Sequence, residues 1–184
     1  LETLSAAYEH IGEVVVRSYR KGTPLTLNVI QSKIGAYVKG GYEACEMCSL
    51  GEREIAVAAS GNMYPCARVV GDDDREALLM GNVFTGEDRE KKMKLIAARG
   101  NRNPRCLGCS LRVRCLQWCG CVNYATSGRT DWVGEFTCFH EQLSIRVADK
   151  VAETLWEERN PWFIREFYSG VLPGEDPSGG QGRD

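Results

Sequence analysis

Apolar residues Leu4, Tyr8, Ile11 and Val15 recur every three or four positions, with Val14 beside the same stripe. This pattern predicts an amphipathic helix over roughly the first twenty residues, ended by the turn Gly22-Thr23-Pro24. A second helical segment is expected from Leu25 to Val38, before Gly40-Gly41 breaks the chain. The period then changes. Ile55, Val57 and Ala59 alternate with more polar or small neighbours, Ser60-Gly61 can turn the chain, and Asn62 to Cys66 can return, which predicts a hairpin. Val70 to Arg75 reads as an acidic loop. Thr85 followed by Asp88 resembles a capping box, with Glu87, Asp88 and Glu90 early and Lys91, Lys92 and Lys94 later, so a helix is expected from Gly86 to Arg99, ended at Gly100.

From Asn101 to Cys138 the periodicity fades, and an irregular backbone wrapped around something other than a hydrophobic core is expected. Val147, Val151 and Leu155 mark a helix after the last Cys, and Asn160-Pro161 reads as the cap and first position of another. Pro173 to Asp184, rich in Gly, Pro and charge, reads as a mobile tail. The expected fold class is α+β and irregular, with a two-stranded β-hairpin and flanking α-helices.

Composition changes this picture in one respect. A hydrophobic share of 43% is that of a globular protein, and a net charge of −2 gives no global case for nucleic acid or a membrane surface. No apolar run is long enough to span a bilayer. The chain holds nine Cys, however, and no export signal is visible, so a cytoplasmic, reducing setting is expected. In that setting clustered Cys bind metal or do redox chemistry more often than they form disulfides.

The cysteines fall into groups. Cys45 and Cys48 form a C-x2-C pair, and Cys48 is followed by twelve residues, Gly61, four residues and Cys66. On the hairpin reading, Cys48 precedes the first strand and Cys66 ends the second, so the two thiolates meet at its open end. The second group is Cys106-x2-Cys109-x5-Cys115-x3-Cys119, with Cys121 two residues on and Cys138 later. A C-x2-C pair lets two thiolates face one metal or cluster from a tight loop. Nine Cys supply two four-ligand sites with one left over. Zinc and iron–sulfur clusters both favour four thiolates, so spacing leaves the two open.

The series carried by Cys48, Gly61, Cys66, Cys106, Cys109, Cys115, Cys119 and Cys138 resembles the seven-cysteine signature of the SPASM domain, the auxiliary-cluster domain of many radical S-adenosylmethionine enzymes. Gly61 to Cys66, Met80 to Val83 and Cys115 to Cys119 are also similar to that family. The match covers Cys45 to His140. The resemblance implies a SPASM-type fold with cluster-binding loops and two 4Fe-4S clusters. Cys45, Cys48, Cys66 and Cys119 would hold the first, and Cys106, Cys109, Cys115 and Cys138 the second. Cys45 lies outside the signature, and Cys121 has no place in the plain pattern. Arg99, Arg102, Arg105, Arg112 and Arg114 would offset the clusters' charge, Trp118 would shield one from water, and His140 is a candidate hydrogen-bond donor to a sulfur.

The resemblance further implies a radical SAM/SPASM maturase that modifies a ribosomally made peptide or protein, for example by thioether or carbon–carbon crosslinking. Its expected partners are that peptide or protein substrate, an upstream radical SAM barrel and an external electron donor or acceptor, with no nucleic acid and no membrane. The C-x3-C-x2-C motif that binds the cluster cleaving S-adenosylmethionine is missing from these residues, and Cys121 follows Cys119 one position too early to complete it. S-adenosylmethionine and its own 4Fe-4S cluster are therefore expected only in an upstream domain, and these residues alone should be inactive. On this reading 1–40 is the last barrel helix and a bridge, 41–140 the SPASM domain, 141–170 C-terminal helices and 171–184 a flexible tail. The competing reading is a non-catalytic, zinc- or cluster-stabilised binding module. A stand-alone ferredoxin-like carrier is disfavoured, because ferredoxin ligand spacing is more compact.

Overall fold

A computed structural model of the chain describes residues 1–169; the expected tail lies outside them. The fold is mixed and mostly helical, with two small two-stranded antiparallel sheets. It divides into two units, Leu1–Gly41 with the described residues from Gln142 to Ser169, and Tyr42–Glu141. The N-terminal and C-terminal segments, expected as separate pieces, thus belong to one unit.

In that unit α1 (Glu2–Arg20) buries Tyr8, Gly12, Val15, Val16 and Tyr19. α2 (Asn28–Val38) buries Ile30 and Ile34. From α6 (Glu135–Glu157), the unit takes the part that buries Leu143, Val147, Val151 and Leu155, four positions apart and so on one helix face. α7 (Pro161–Tyr168) starts as its sequence predicts, with the Asn160 side chain accepting from the N–H groups of Trp162 and Phe163. Phe163, fully buried, meets Tyr19 edge-on at 6.1 Å. The Tyr19 hydroxyl donates to Glu166, and Arg20 ion-pairs with Glu158.

The second unit opens with the expected hairpin. β1 (Ala56–Val57) pairs with β2 (Met63–Tyr64) in the register Ala56 to Tyr64 and Val57 to Met63, around the turn at Ser60-Gly61. Asp73 latches it, accepting from Asn62 Nδ2 at 3.0 Å and from the Tyr64 hydroxyl at 2.8 Å. A second hairpin, β3 (Gly81–Asn82) with β4 (Gly86–Glu87), was not foreseen. It stands against the first through Met80 N–H to Met63 O at 2.7 Å and Val83 N–H to Gly61 O at 2.9 Å. Because Gly86 and Glu87 are strand residues, the helix expected from Gly86 starts later. α3 is Arg89–Ala97, and its cap is Asp88, which accepts from the Lys91 N–H at 3.0 Å, rather than Thr85.

The Cys-rich region is also more regular than expected. α4 (Pro104–Leu107) is capped by Asn103, and α5 (Gly120–Ser127) follows Cys119 directly. Cys138 lies within α6, near its start, rather than before it. The apolar centre of this unit is built from Leu50, Tyr64, Val69 and Leu78 together with Cys66, Cys119 and Cys121, with Cys48 packed against them. Among the described residues no helix is long and apolar enough to cross a membrane.

Candidate metal centre

Four cysteines from three separate stretches of chain meet in that centre. Cys48 precedes the first hairpin, Cys66 follows it, and Cys119 and Cys121 flank the start of α5. The Sγ atoms of Cys119 and Cys121 stand 3.5 Å apart. Cys119 also hydrogen-bonds Cys48, and Cys121 hydrogen-bonds Cys66, so the thiols run in the order Cys48, Cys119, Cys121, Cys66. Cys48 and Cys66 were expected to meet across the hairpin end; here the α5 pair stands between them.

Gly120 makes this approach possible. A Cβ at that position would lie 2.7 Å from Leu50 Cδ2, closer than real side chains come, and Leu50 is itself buried at 3% exposure. The absence of a side chain lets the first turn of α5 press against the segment that carries Cys48. The sequence Cys119-Gly120-Cys121 is therefore a packing device as well as a pair of thiols.

The electrostatics alternate along the series. The hydrogen bond from Cys119 is the main cause that holds the Cys48 thiol down to about 6, helped by the backbone N–H groups of Gly120 and Leu50. Cys119 likewise brings Cys121 down to about 5, with Cys66 and Arg68 adding to the effect. Burial pushes Cys66 up to about 11. Cys119, the donor to both neighbours, is raised. It has one proton to give and serves one of them at a time. The arrangement favours anionic sulfur next to neutral sulfur, the form in which thiols accept a metal in exchange for protons.

Cys45 stands apart. It is exposed, and its Sγ lies 3.7 Å from Glu43 Oε2. Cys106, Cys109 and Cys115 follow one another along a run of turns, in which Cys109 N–H bonds Cys106 O, Arg112 N–H bonds Cys109 O and Cys115 N–H bonds Arg112 O. Two contacts bring the start of α6 to that run. Arg105 faces Glu135 at 3.8 Å, and the Leu116 N–H donates to Glu141 Oε2 at 2.6 Å. Cys138 lies midway between Glu135 and Glu141, on the same side of the helix. These four cysteines are all partly buried. None of the nine is in a disulfide.

Among the described residues, no three His, Cys, Asp or Glu side chains are arranged as a finished metal-ion site. The donor chemistry of the Cys48, Cys66, Cys119 and Cys121 group nonetheless fits zinc or an iron–sulfur cluster, since all four are soft thiol ligands. The basic residue that faces these sulfurs is Arg68, whose charged form is favoured first by Cys121 and then by Cys119 and Cys66. It was missed in the sequence, although it stands two residues after Cys66. Of the arginines singled out there, Arg99 ion-pairs with Glu52, Arg102 with Asp131 and Arg105 with Glu135. Trp118 packs against the thiol core, and its ring meets Tyr42 edge-on at 5.7 Å. His140 stacks on Phe136 at 6.4 Å and has Nδ1 3.8 Å from Glu141 Oε1.

No model of a known protein family matches the chain, and no curated protein matches it either.

Proposed function

We propose that this chain is the auxiliary-cluster region of a cytoplasmic radical SAM/SPASM maturase acting on a ribosomally made peptide or protein. The observation that carries this reading is the gathering of Cys48, Cys66, Cys119 and Cys121 in one buried centre from segments far apart in sequence. A chain that merely tolerates cysteines has no reason to bring four of them together from both sides of a hairpin. The second set, Cys106, Cys109, Cys115 and Cys138, is supported by the Arg105–Glu135 and Leu116–Glu141 contacts that draw α6 to the Cys-rich turns.

On this reading two 4Fe-4S clusters supply one-electron transfer or a coordination position for substrate. The residues of the chain hold them, offset their charge through Arg68 and keep water off them with Trp118 and the Leu50–Tyr64 core. S-adenosylmethionine cleavage belongs to a barrel with its own C-x3-C-x2-C motif. The direct test is the coding sequence upstream of Leu1. Finding that motif within a few hundred residues supports the assignment, and a start codon immediately before Leu1 contradicts it. Spectroscopy of anaerobically reconstituted protein tests the clusters themselves, which absorb broadly in the visible and bleach on reduction.

A second reading, a zinc-stabilised binding module, is favoured by one distance. Four thiolates at about 2.3 Å from a single zinc stand about 3.8 Å from one another. The 3.5 Å between Cys119 and Cys121 is near that value. Ligands on different irons of a cluster stand farther apart, so cluster binding calls for a rotamer change at Cys119 or Cys121. The maturase reading is preferred because it also accounts for the full spacing series.

A further inference from the structure

We propose that Cys121, and not Cys45, is the fourth thiolate of the first cluster site, which is then held by Cys48, Cys66, Cys119 and Cys121. The inference rests on the auxiliary-cluster reading and departs from the ligand set that the resemblance implies. Three observations carry it. Cys121 is 5% exposed and belongs to the same buried centre as Cys66 and Cys119. Its Sγ, 3.5 Å from that of Cys119, shares one pocket with it, and a side-chain rotation at either residue would part the two sulfurs to reach different irons. Cys45, three residues before Cys48, lies outside the centre, exposed to solvent with its sulfur beside Glu43.

Elementary chemistry points the same way. A buried polar sulfur beside other thiols gains a metal bond without further loss of hydration, because the chain has already removed the water. An exposed thiol that donates to a carboxylate would have to leave water and give up that hydrogen bond before it could reach the cluster. The residue between the two α5 thiols is Gly120, which seats both against Leu50 and leaves no side chain in the way. The second set keeps its four ligands, and Cys45 is then the ninth cysteine, outside both sites.

The experiment compares the full wild-type chain with Cys45→Ser and Cys121→Ser after anaerobic reconstitution with ferrous iron and sulfide. Iron and acid-labile sulfide are counted per chain, far-UV circular dichroism checks the fold, and Cys109→Ser serves as the control for the second site. Cys45→Ser is expected to keep the full wild-type iron and sulfide. Cys121→Ser and Cys109→Ser are each expected to lose about half, one four-iron centre of two. A half-loss in Cys45→Ser, or full retention in Cys121→Ser, overturns the assignment while leaving the cluster reading standing. A wild-type chain that takes up no iron overturns both. Should Cys121→Ser fail to fold, alkylation of loaded wild-type protein decides. Iodoacetamide is expected to label Cys45 fully, and protection of Cys45 that is lost on chelation contradicts the proposal.

Discussion

The sulfurs of Cys119 and Cys121 lie 3.5 Å apart in the apolar centre of the Tyr42–Glu141 unit, and Gly120 between them leaves room for Leu50. This packing makes Gly120 sensitive to the smallest addition. Gly120→Ala is expected to cost about 1–3 kcal/mol through overpacking against Leu50, despite the better helix propensity of Ala. It should also lower metal uptake at the first site with little effect on the second. Denaturant titration and metal analysis on the same preparation check both halves.

The two hairpin glycines should respond unequally. Gly61 has φ +89°, and a Cβ there would meet the Phe84 ring at 2.8 Å, but Phe84 is 85% exposed and can swing away. Gly61→Ala is therefore expected to cost only the backbone strain, about 1–3 kcal/mol. Gly81 has φ +135°, and its Cβ would lie 2.5 Å from the backbone oxygen of Gly86. A backbone atom held in a ladder cannot step aside, so Gly81→Ala should be the more damaging. Equal losses of unfolding free energy would contradict this account of the paired hairpins.

Asp73 should make the first hairpin acid-sensitive. Hydrogen bonds from Ser60, Asn62 and Tyr64 hold its carboxyl below the ordinary carboxylate value. A depressed folded pKa contributes stability that is present above the unfolded value, about 3.9, and is lost as pH falls through the folded one. Asp73→Asn keeps the shape and tolerates the left-handed φ of 63° at this position but removes the titration. The variant is expected to lose less stability than wild type over that acidic window, as measured by denaturant midpoints at a series of pH values.

Glu141 ties α6 to the Cys-rich turns. Its carboxylate is 3% exposed and accepts from the Leu116 N–H at 2.6 Å. Hydrogen bonds to charged groups contribute about 1.5–3 kcal/mol. Glu141→Ala is expected to lose about that much and to weaken the second metal site by loosening the start of α6, which carries Cys138, from the turn at Leu116. Glu141→Gln, which keeps an acceptor oxygen, should recover much of both. Loss of stability with unchanged metal content would show that the tie is structural only.

How far the sequence carried this account depended on the length of each signal. The stripe of α1 was legible because it repeats over about three turns, though Gly12 rather than Ile11 lies fully within the buried face. Asn160-Pro161 was legible because capping is local chemistry. The second hairpin was not, since strands of two residues show no alternation and Thr85 with Asp88 imitates a helix start. α5 was hidden by the cysteines and by Gly120, a poor helix former at its first position. The contribution of Cys121 and Arg68 to the thiol centre could not be read from spacing. Both depend on how α5 and the turn after Cys66 fold back on the same core.

The central claim is that these cysteines hold clusters rather than single ions. The measurement is iron, acid-labile sulfide and zinc per chain after anaerobic purification and reconstitution, with competing zinc present. The account predicts about eight iron with matching sulfide, from two four-iron centres. One or two zinc per chain, with iron and sulfide absent, would contradict it and leave the zinc-stabilised module in its place.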